Sequence, residues 1–433
     1  MAALMDKKVR SWLFLSIILF SLSLFLAFRQ FACFYLADFG AYCAISRALF
    51  EGNNPFPDHF EVLFCKTHEG GIVPIVYPGQ MLLFVIPSYL WSRNLQIVYY
   101  SLNVAIVFFL IGLAFVKAIG WQWRDLWTPG KRQFFYALFC TLCFSSSSFK
   151  ETFLWGQTPI ILTFCFYFMF WGPVSFWLRT FLFAVMALVK YSILPVVAPL
   201  LFFKGHWKLC IAAFSVFVFF SISPVFCGND LMDVYTEYSK AVQTIIQPGH
   251  INHFDTGGTT MCNLDFFKNA FINFFLKTVV FGVILWLFWR ERKNQFLSDT
   301  MLLLAFCLTM LISYHRSYDL VLVYPLFLIR FCDFIKKKQW LLFGIMLLFP
   351  LFLSIPNRFS HLVSALIGRI PGVGSIVYLE KPFEDPHFPI MPFFTIALTL
   401  WSLYLYLHVE EPYRFELPMP KKKPPVQEPD TLS

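Results

Sequence analysis

A lysine interrupts the apolar stretch at residues 180–203, which reads TFLFAVMALVKYSILPVVAPLLFF. Lys190 lies near the middle of the stretch, and Pro195 follows it five residues later. As helix, residues 180–189 and 194–203 would each be about 15 Å long, which is half of the roughly 30 Å hydrocarbon core of a bilayer. The stretch therefore predicts a broken or hairpin-like membrane segment with Lys190 at its tip. Irregular backbone at that depth must be buried in protein or line a cavity.

The same apolar character recurs along the whole chain. Of the 433 residues, 58% are hydrophobic and only 14% are charged, whereas soluble domains are about 45–50% apolar and about 25% charged. Backbone polar groups inside a bilayer must be paired within the segment, so such continuous runs are helices. The sequence predicts an all-α polytopic membrane protein. The apolar runs are 12–28, 77–91, 95–116, 134–149, 158–177, 180–203, 209–226, 270–288, 300–313, 319–332, 340–355 and 390–407.

The distribution of basic residues predicts the topology. Positive charge is concentrated in short connections, for example Lys204 to Lys208 and Lys336 to Lys338. The positive-inside rule places these connections and both termini in the cytoplasm. Three long polar loops then lie outside, at 29–76, 227–268 and 356–389. We expect one membrane domain over residues 1–410 and a disordered cytoplasmic tail over 411–433. The net charge of +9 reflects this topology and does not indicate a nucleic-acid partner.

The first external loop carries the first candidate for chemistry. Asp38 precedes apolar residues at helical spacing (Ala41, Ala44, Ile45, Ala48 and Leu49), which predict an amphipathic helix at the membrane surface. Asp38 is a favoured residue for capping such a helix. It is equally placed to be a catalytic carboxylate at the mouth of a membrane cavity, and the two roles are compatible.

Two further polar positions interrupt apolar runs. A lysine at membrane depth suggests a functional partner, and for Lys190 a phosphate group would serve. The alternatives are a lysine that pairs with a carboxylate or one that extends its ammonium group to the membrane surface. Gln157 begins an apolar run after Lys150 and Glu151. Its amide either contacts a ligand headgroup or simply forms a polar helix end.

A very short polar segment separates the runs 300–313 and 319–332. It contains His315, Arg316, Tyr318 and Asp319. Arginine recognises phosphate through two parallel hydrogen bonds, and histidine can move protons or bind phosphate. The alternative is an ordinary solvated turn.

Metal and nucleotide chemistry have little support. His250, His253 and Asp255 have suitable ligand types, but they are flanked by glycine and proline and lack a helical framework. The same holds for Asp58, His59, Glu61 and His68. No Walker loop, GxGxxG, HExxH or GxSxG pattern is present. Of the eleven cysteines, only Cys140 and Cys143 have CxxC spacing. Both lie inside the apolar run 134–149, where cysteine is a small core hydrophobe, so they identify neither a disulfide framework nor a zinc site. We therefore predict no metal ligands and no required cofactor, with a divalent metal compatible with the chemistry but not needed for it.

In chain order, these positions resemble glycosyltransferase family 87. The pattern from Asp38 through Tyr42 to Pro55 is similar to the family's first loop. Tyr77-Pro78 followed by Pro87 resembles its YPP…P helix, although the second proline is Gly79 here. The other matching elements are Gly156-Gln157, Lys190 with Pro195, and His315 with Tyr318-Asp319.

The resemblance implies a GT-C-like bundle of about 10–12 transmembrane or re-entrant helices. It implies an inverting sugar transfer from a polyprenyl-phosphate donor, most often of mannose, to a lipid or glycan acceptor outside the cytoplasm. Asp38 would be the general base, and Lys190, Arg316 and His315 would bind the donor phosphate. The binding site for the sugar or acceptor would be lined by Tyr42, Gln157, Tyr318 and Asp319. The short loops favour a bacterial inner membrane.

Three other functions compete with this hypothesis. One is a transporter or flippase of a lipid-linked saccharide, although no inverted repeat is visible. Another is a GT-C-like oligosaccharide ligase or polymerase, which would favour more arginines in the outer loops. The third is a structural membrane protein without chemistry. Replacing Asp38 by asparagine discriminates between all of these hypotheses, because only a base-dependent transferase should lose function while it still folds and inserts.

Overall fold

The computed structural model describes most of the chain. The described residues are 7–29, 37–56, 77–90, 92–119, 129–155, 157–171, 174–245, 261–292, 296–313, 315–354, 357–377, 379, 389–409 and 414–416.

Helices dominate the described residues. They are α1 Lys7–Arg29, α2 Ala37–Phe50, α3 Met81–Tyr89, α4 Arg93–Ile119, α5 Pro129–Ser145, α6 Ser147–Trp155, α7 Pro159–Trp171, α8 Phe176–Val189, α9 Leu194–Phe203, α10 Trp207–Ile222, α11 Leu231–Ile245, α12 Ala270–Glu291, α13 Asp299–Ile312, α14 Tyr324–Lys336, α15 Trp340–Ser354, α16 Asn357–Gly368, α17 Val373–Ile376 and α18 Ile390–His408. Short 3-10 turns occupy Pro78–Gln80, Tyr191–Ile193, Ser223–Cys227 and Ser317–Val323.

Several helices are long and apolar enough to cross a membrane. Within the described part of the chain these are Val9–Arg29, Arg93–Ala118, Trp207–Cys227, Ala270–Glu291 and Ile390–His408, and the number rises from five to seven if two bent pairs each count as one span. Each of the twelve apolar runs contains helix, which confirms the all-α polytopic class. Fewer segments qualify as spans than there are runs because several of the helices are short, among them Asp299–Ile312 and Trp340–Ser354.

The predicted break at Lys190 is confirmed. Phe176–Val189 and Tyr191–Phe203 meet at an angle of 109°, with Lys190 between them in a non-helical conformation. A second bend, of 113°, separates Ser147–Leu154 from Pro159–Trp171. Two helix ends are thereby brought inside the bundle, and each of them carries a candidate residue.

Helix α2 lies against α3 and is deeply enclosed. Ala41, Ile45 and Leu49 of its predicted apolar face are fully buried. Tyr42 and Ser46, on other sides of the helix, are also buried. A helix resting on a membrane surface would leave its polar side in water, so α2 is more fully part of the protein core than its sequence pattern indicates.

One short sheet joins distant parts of the chain. Strand β1, Phe296–Ser298, pairs antiparallel with strand β2, Arg414–Glu416. The second strand belongs to the segment predicted as a disordered tail, so these three residues of that segment form regular structure.

Candidate functional site

The break between α8 and α9 brings Lys190 against a buried carboxylate. Its Nζ donates a hydrogen bond of 2.5 Å to Oδ2 of Asp319. The Lys190 side chain is 16% exposed and that of Asp319 is 0% exposed. Of the two partners considered from sequence, the structure places the carboxylate beside the lysine. This contact joins the break to the short polar segment that contains Asp319.

One oxygen of the Asp319 carboxylate accepts three hydrogen bonds. Besides Lys190, its Oδ2 accepts from Nδ1 of His315 at 3.0 Å and from the main-chain N–H of Arg316 at 3.1 Å. Hydrogen bonds of this kind favour the ionised carboxylate. The buried anion therefore orients both the ammonium group and the imidazole ring.

His315 links this carboxylate to the other side of the break. The imidazole is 1% exposed, and its Nε2 lies 3.3 Å from Oγ of Ser192. Burial lowers the pKa of His315, although the neighbouring Asp319 opposes this shift. A neutral ring that donates from Nδ1 to Asp319 presents Nε2 as an acceptor for the Ser192 hydroxyl.

Asp38 lies beside Arg316, which follows His315 in the chain. Helix α2 begins at Ala37, so Asp38 is inside the first turn and not before it. The side chain is buried, and this burial raises the pKa of Asp38 to about 7, while the Arg316 guanidinium pulls it lower. A carboxyl group poised near neutral pH is suited to general base catalysis.

Tyr42 and the start of α7 enclose Asp38. Tyr42 is buried one turn after Asp38, and its phenol has a hydrogen bond to Thr158. Burial raises the pKa of Tyr42 well above its usual value, and the charge of Asp38 adds to this shift. The main-chain carbonyl of Gln157 accepts a hydrogen bond from the Tyr99 hydroxyl at 3.3 Å. Phe39 of α2 stacks on the same Tyr99 ring with centroids 3.8 Å apart, so Tyr99 connects the opening of α7 to α2.

The structure brings most of the predicted residues together. Asp38, Tyr42, Lys190, His315, Arg316 and Asp319 are connected by the contacts and charge interactions above, and Gln157 is adjacent. Tyr318 belongs to the 3-10 turn after Arg316, but its side chain lies outside the described part. His250, His253 and Asp255 also lie outside the described residues, as do Asp58, His59, Glu61 and His68. Among the residues that are described, no group of three or more His, Cys, Asp or Glu side chains could hold a metal ion.

Two site residues were not assigned a role from the sequence. Oε2 of Glu151 accepts a hydrogen bond of 2.6 Å from Oγ of Ser317, and its charge interacts with that of Arg316. Gln80 contacts the end of α8. Glu151 is detectable in the sequence because it interrupts an apolar run, whereas Gln80 follows Tyr77-Pro78-Gly79 without a comparable signal.

A cavity of about 610 Å³ is lined in part by Tyr191, the residue that follows Lys190. Its lining residues are Tyr77, Tyr191, Leu194, Pro195, Phe217 and Tyr238. The ring of Tyr77 stacks on Phe217 with centroids 5.7 Å apart, and its hydroxyl lies 2.9 Å from Oγ of Ser221. The side chains therefore form an apolar, mainly aromatic groove, which we call the aromatic groove.

The fold and site define a helical membrane protein that holds a buried carboxylate close to cationic side chains. The sequence model of glycosyltransferase family 87 matches residues 76–313, more than half of the chain. The chain belongs to this family, and it is a membrane glycosyltransferase. The matched region contains Gln157 and Lys190, whereas Asp38 and His315 to Asp319 lie outside it. Comparison with curated proteins and with solved structures finds no match to this chain.

Proposed function

We propose that the protein transfers a mannosyl group from a polyprenyl-phosphate donor to a glycolipid or glycan acceptor, with inversion at the anomeric carbon. The observation that carries this proposal is the burial of Asp38, which raises its pKa to about 7, together with its charge interaction with Arg316. The main-chain N–H of Arg316 in turn donates to Asp319 of the Lys190–Asp319–His315 cluster. A base and cations for a phosphate are thereby combined in one site.

Asp38 acts as the general base in the proposed reaction. It removes the proton from the acceptor hydroxyl while the hydroxyl oxygen forms a bond to the anomeric carbon. The bond from that carbon to the phosphate oxygen breaks on the opposite face, and polyprenyl phosphate leaves with the electron pair. Lys190 and Arg316 stabilise the negative charge that grows on the phosphate. Because a phosphate monoester is a good leaving group, the proposal has no metal requirement.

Asp319 and His315 prepare the phosphate site. An ammonium group carries three donor hydrogens, and Asp319 orients the one that Lys190 directs towards it. His315 is held between Asp319 and Ser192, so it stabilises the same arrangement. Tyr42 and Gln157 line the side of the site where the sugar and the acceptor hydroxyl meet Asp38.

The aromatic groove is the proposed path of the donor's lipid. It adjoins Lys190 through Tyr191, and its lining is largely apolar. An isoprenoid chain in this groove would place its phosphate beside the lysine. The positive-inside rule puts the loops that contain α2 and α11 outside the cytoplasm, so we propose that the reaction occurs on the outer face of a bacterial inner membrane.

Labelled polyprenyl-phosphate mannose tests the proposal directly. Membranes that contain wild type should transfer label to a new lipid or polymer, and Asp38→Asn should lower the rate by about a hundredfold or more, the usual effect of losing a general base. Asp233→Asn is a matched control, since Asp233 lies in the first turn of α11 but is exposed. Equal transfer by wild type and Asp38→Asn would exclude Asp38 as the base.

A further inference from the structure

The end of α8 leaves main-chain carbonyl groups that the helix itself cannot satisfy. The chain bends by 109° after Val189, and Lys190 adopts φ −153° and ψ 85°. The last four carbonyl groups of a helix need partners from elsewhere, and buried carbonyl groups are rarely left unpaired. The conformation of Lys190 therefore depends on what satisfies the carbonyls just before it.

Gln80 supplies those partners from a distant part of the chain. Its Nε2 donates to the carbonyl oxygen of Leu188 at 2.8 Å and to that of Val189 at 3.1 Å. The side chain is 4% exposed and lies at the end of the turn Pro78–Gln80. A primary amide has two donor hydrogens, so one side chain can serve two successive carbonyls at the end of α8.

Gly79 permits this close approach. A Cβ atom at this position would lie 3.2 Å from Cδ2 of Leu188 and 2.6 Å from Cε1 of Tyr77. Glycine therefore lets the turn lie directly against α8, where the Gln80 amide meets the carbonyl groups.

We propose that Gln80 is a positioning residue for Lys190, an inference that rests on the proposed function. Its amide fixes the main chain immediately before Lys190, while the Ser192–His315 contact holds the chain immediately after it. The ammonium group is thereby held in the place where the phosphate leaves. The Gln80 amide donates to the helix end, and in the proposed reaction it does not touch the reacting atoms.

Kinetics of Gln80→Met separate positioning from general stability. Methionine has a similar length but no donor, so kcat should fall on the order of tenfold as the ammonium group loses its place. In a Lys190→Ala background the same substitution should have no further effect on kcat, because the group it positions is gone. Multiplicative losses in the double variant would overturn the proposal.

Asn229→Leu is the matched control. Asn229 also donates one buried amide to two main-chain carbonyls, those of Leu49 at 2.6 Å and Pro224 at 3.1 Å. These carbonyls lie at the end of α2 opposite Asp38 and in the turn Ser223–Cys227. Asn229→Leu should lower stability without the selective loss of kcat. An equal loss of kcat in Gln80→Met and Asn229→Leu would show that Gln80 contributes only to stability and does not position Lys190.

Amide hydrogen exchange gives a measurement that needs no activity. In purified Gln80→Met, exchange over residues 188–194 should quicken on the order of tenfold, and Asn229→Leu should leave this segment unchanged. Unchanged exchange in Gln80→Met would overturn the positioning role, whatever the donor. If the wild type transfers no sugar but Gln80→Met still shows the faster exchange, the proposed function is contradicted. The role of Gln80 in holding the chain around Lys190 then remains supported.

Discussion

Lys190 and Asp319, separated by 129 residues in the chain, meet through a hydrogen bond of 2.5 Å inside the bundle. Asp319 is completely buried, and the same oxygen also accepts from His315 and from the N–H of Arg316. One anion therefore sets the positions of the broken helix and of the turn that carries the other candidate cations.

Removing the Asp319 charge should destabilise this arrangement. Breaking a buried ion pair on one side costs about 3–5 kcal/mol, and we expect Asp319→Asn to fall towards the lower figure because Lys190 is partly exposed. Asp265→Asn is the control, since Asp265 pairs with Lys277 at 2.6 Å but the two side chains are 42% and 29% exposed, more than Asp319 and Lys190. That exposed pair should contribute less than about 1 kcal/mol. Thermal unfolding of the purified proteins compares the two, and equal shifts would contradict the expected burial effect.

The activity should fall on the acid side of neutral pH. Asp38 must be ionised to accept a proton, and burial raises its pKa to about 7. The carboxylate form is therefore lost as the pH decreases through this value, and kcat/KM should drop about tenfold per pH unit below it. An acid limb near pH 4 would show that the carboxyl group is not buried as described.

Arg316 should tune that acid limb. Its guanidinium lowers the pKa of Asp38 against the effect of burial, so Arg316→Gln should move the limb to higher pH. Arg316→Lys retains the positive charge and should move it less. The measurement is the dependence of kcat/KM on pH for the three proteins. If Arg316→Gln begins to lose activity at the same pH as wild type, the proposed charge interaction between Arg316 and Asp38 is contradicted.

A side chain at position 79 should strain the contact between the turn Pro78–Gln80 and α8. The Cβ of Gly79→Ala would lie too close to Tyr77 and Leu188, and overpacking of this kind costs about 1–3 kcal/mol. Gly282→Ala in α12 is the control because no atom lies within 4 Å of its Cβ position. Thermal unfolding should show a loss for the first variant alone.

Filling the aromatic groove should discriminate between donors by chain length. Leu194→Trp adds bulk to the cavity lining and should raise KM for a long-chain polyprenyl donor by about tenfold or more, with a smaller effect on a short-chain analogue. Val218→Trp adds the same bulk to an exposed position of α10 and should change neither value. An equal rise for both donors in Leu194→Trp would place the lipid elsewhere.

Local patterns in the sequence predicted the apolar helices, the break at Lys190 and a helix near Asp38, which begins at Ala37 in the structure. Each depends on neighbouring residues: apolar length decides whether a segment can enter a bilayer, and a lysine at membrane depth with Pro195 five residues later disfavours one continuous apolar helix. The motif order also indicated the family that the match over residues 76–313 shows.

The partners within the site were decided only by the tertiary structure. Spacing left the partner of Lys190 open between a phosphate and a carboxylate, and helix packing placed Asp319 beside it. The pKa of Asp38 depends on burial by the surrounding bundle and on the charge of Arg316, neither of which is local in sequence. Gln80 shows the same physical rule, because the carbonyls it satisfies lie 108 and 109 residues away. Local preference determines which segments become helices, whereas burial and long-range packing determine which polar groups must meet.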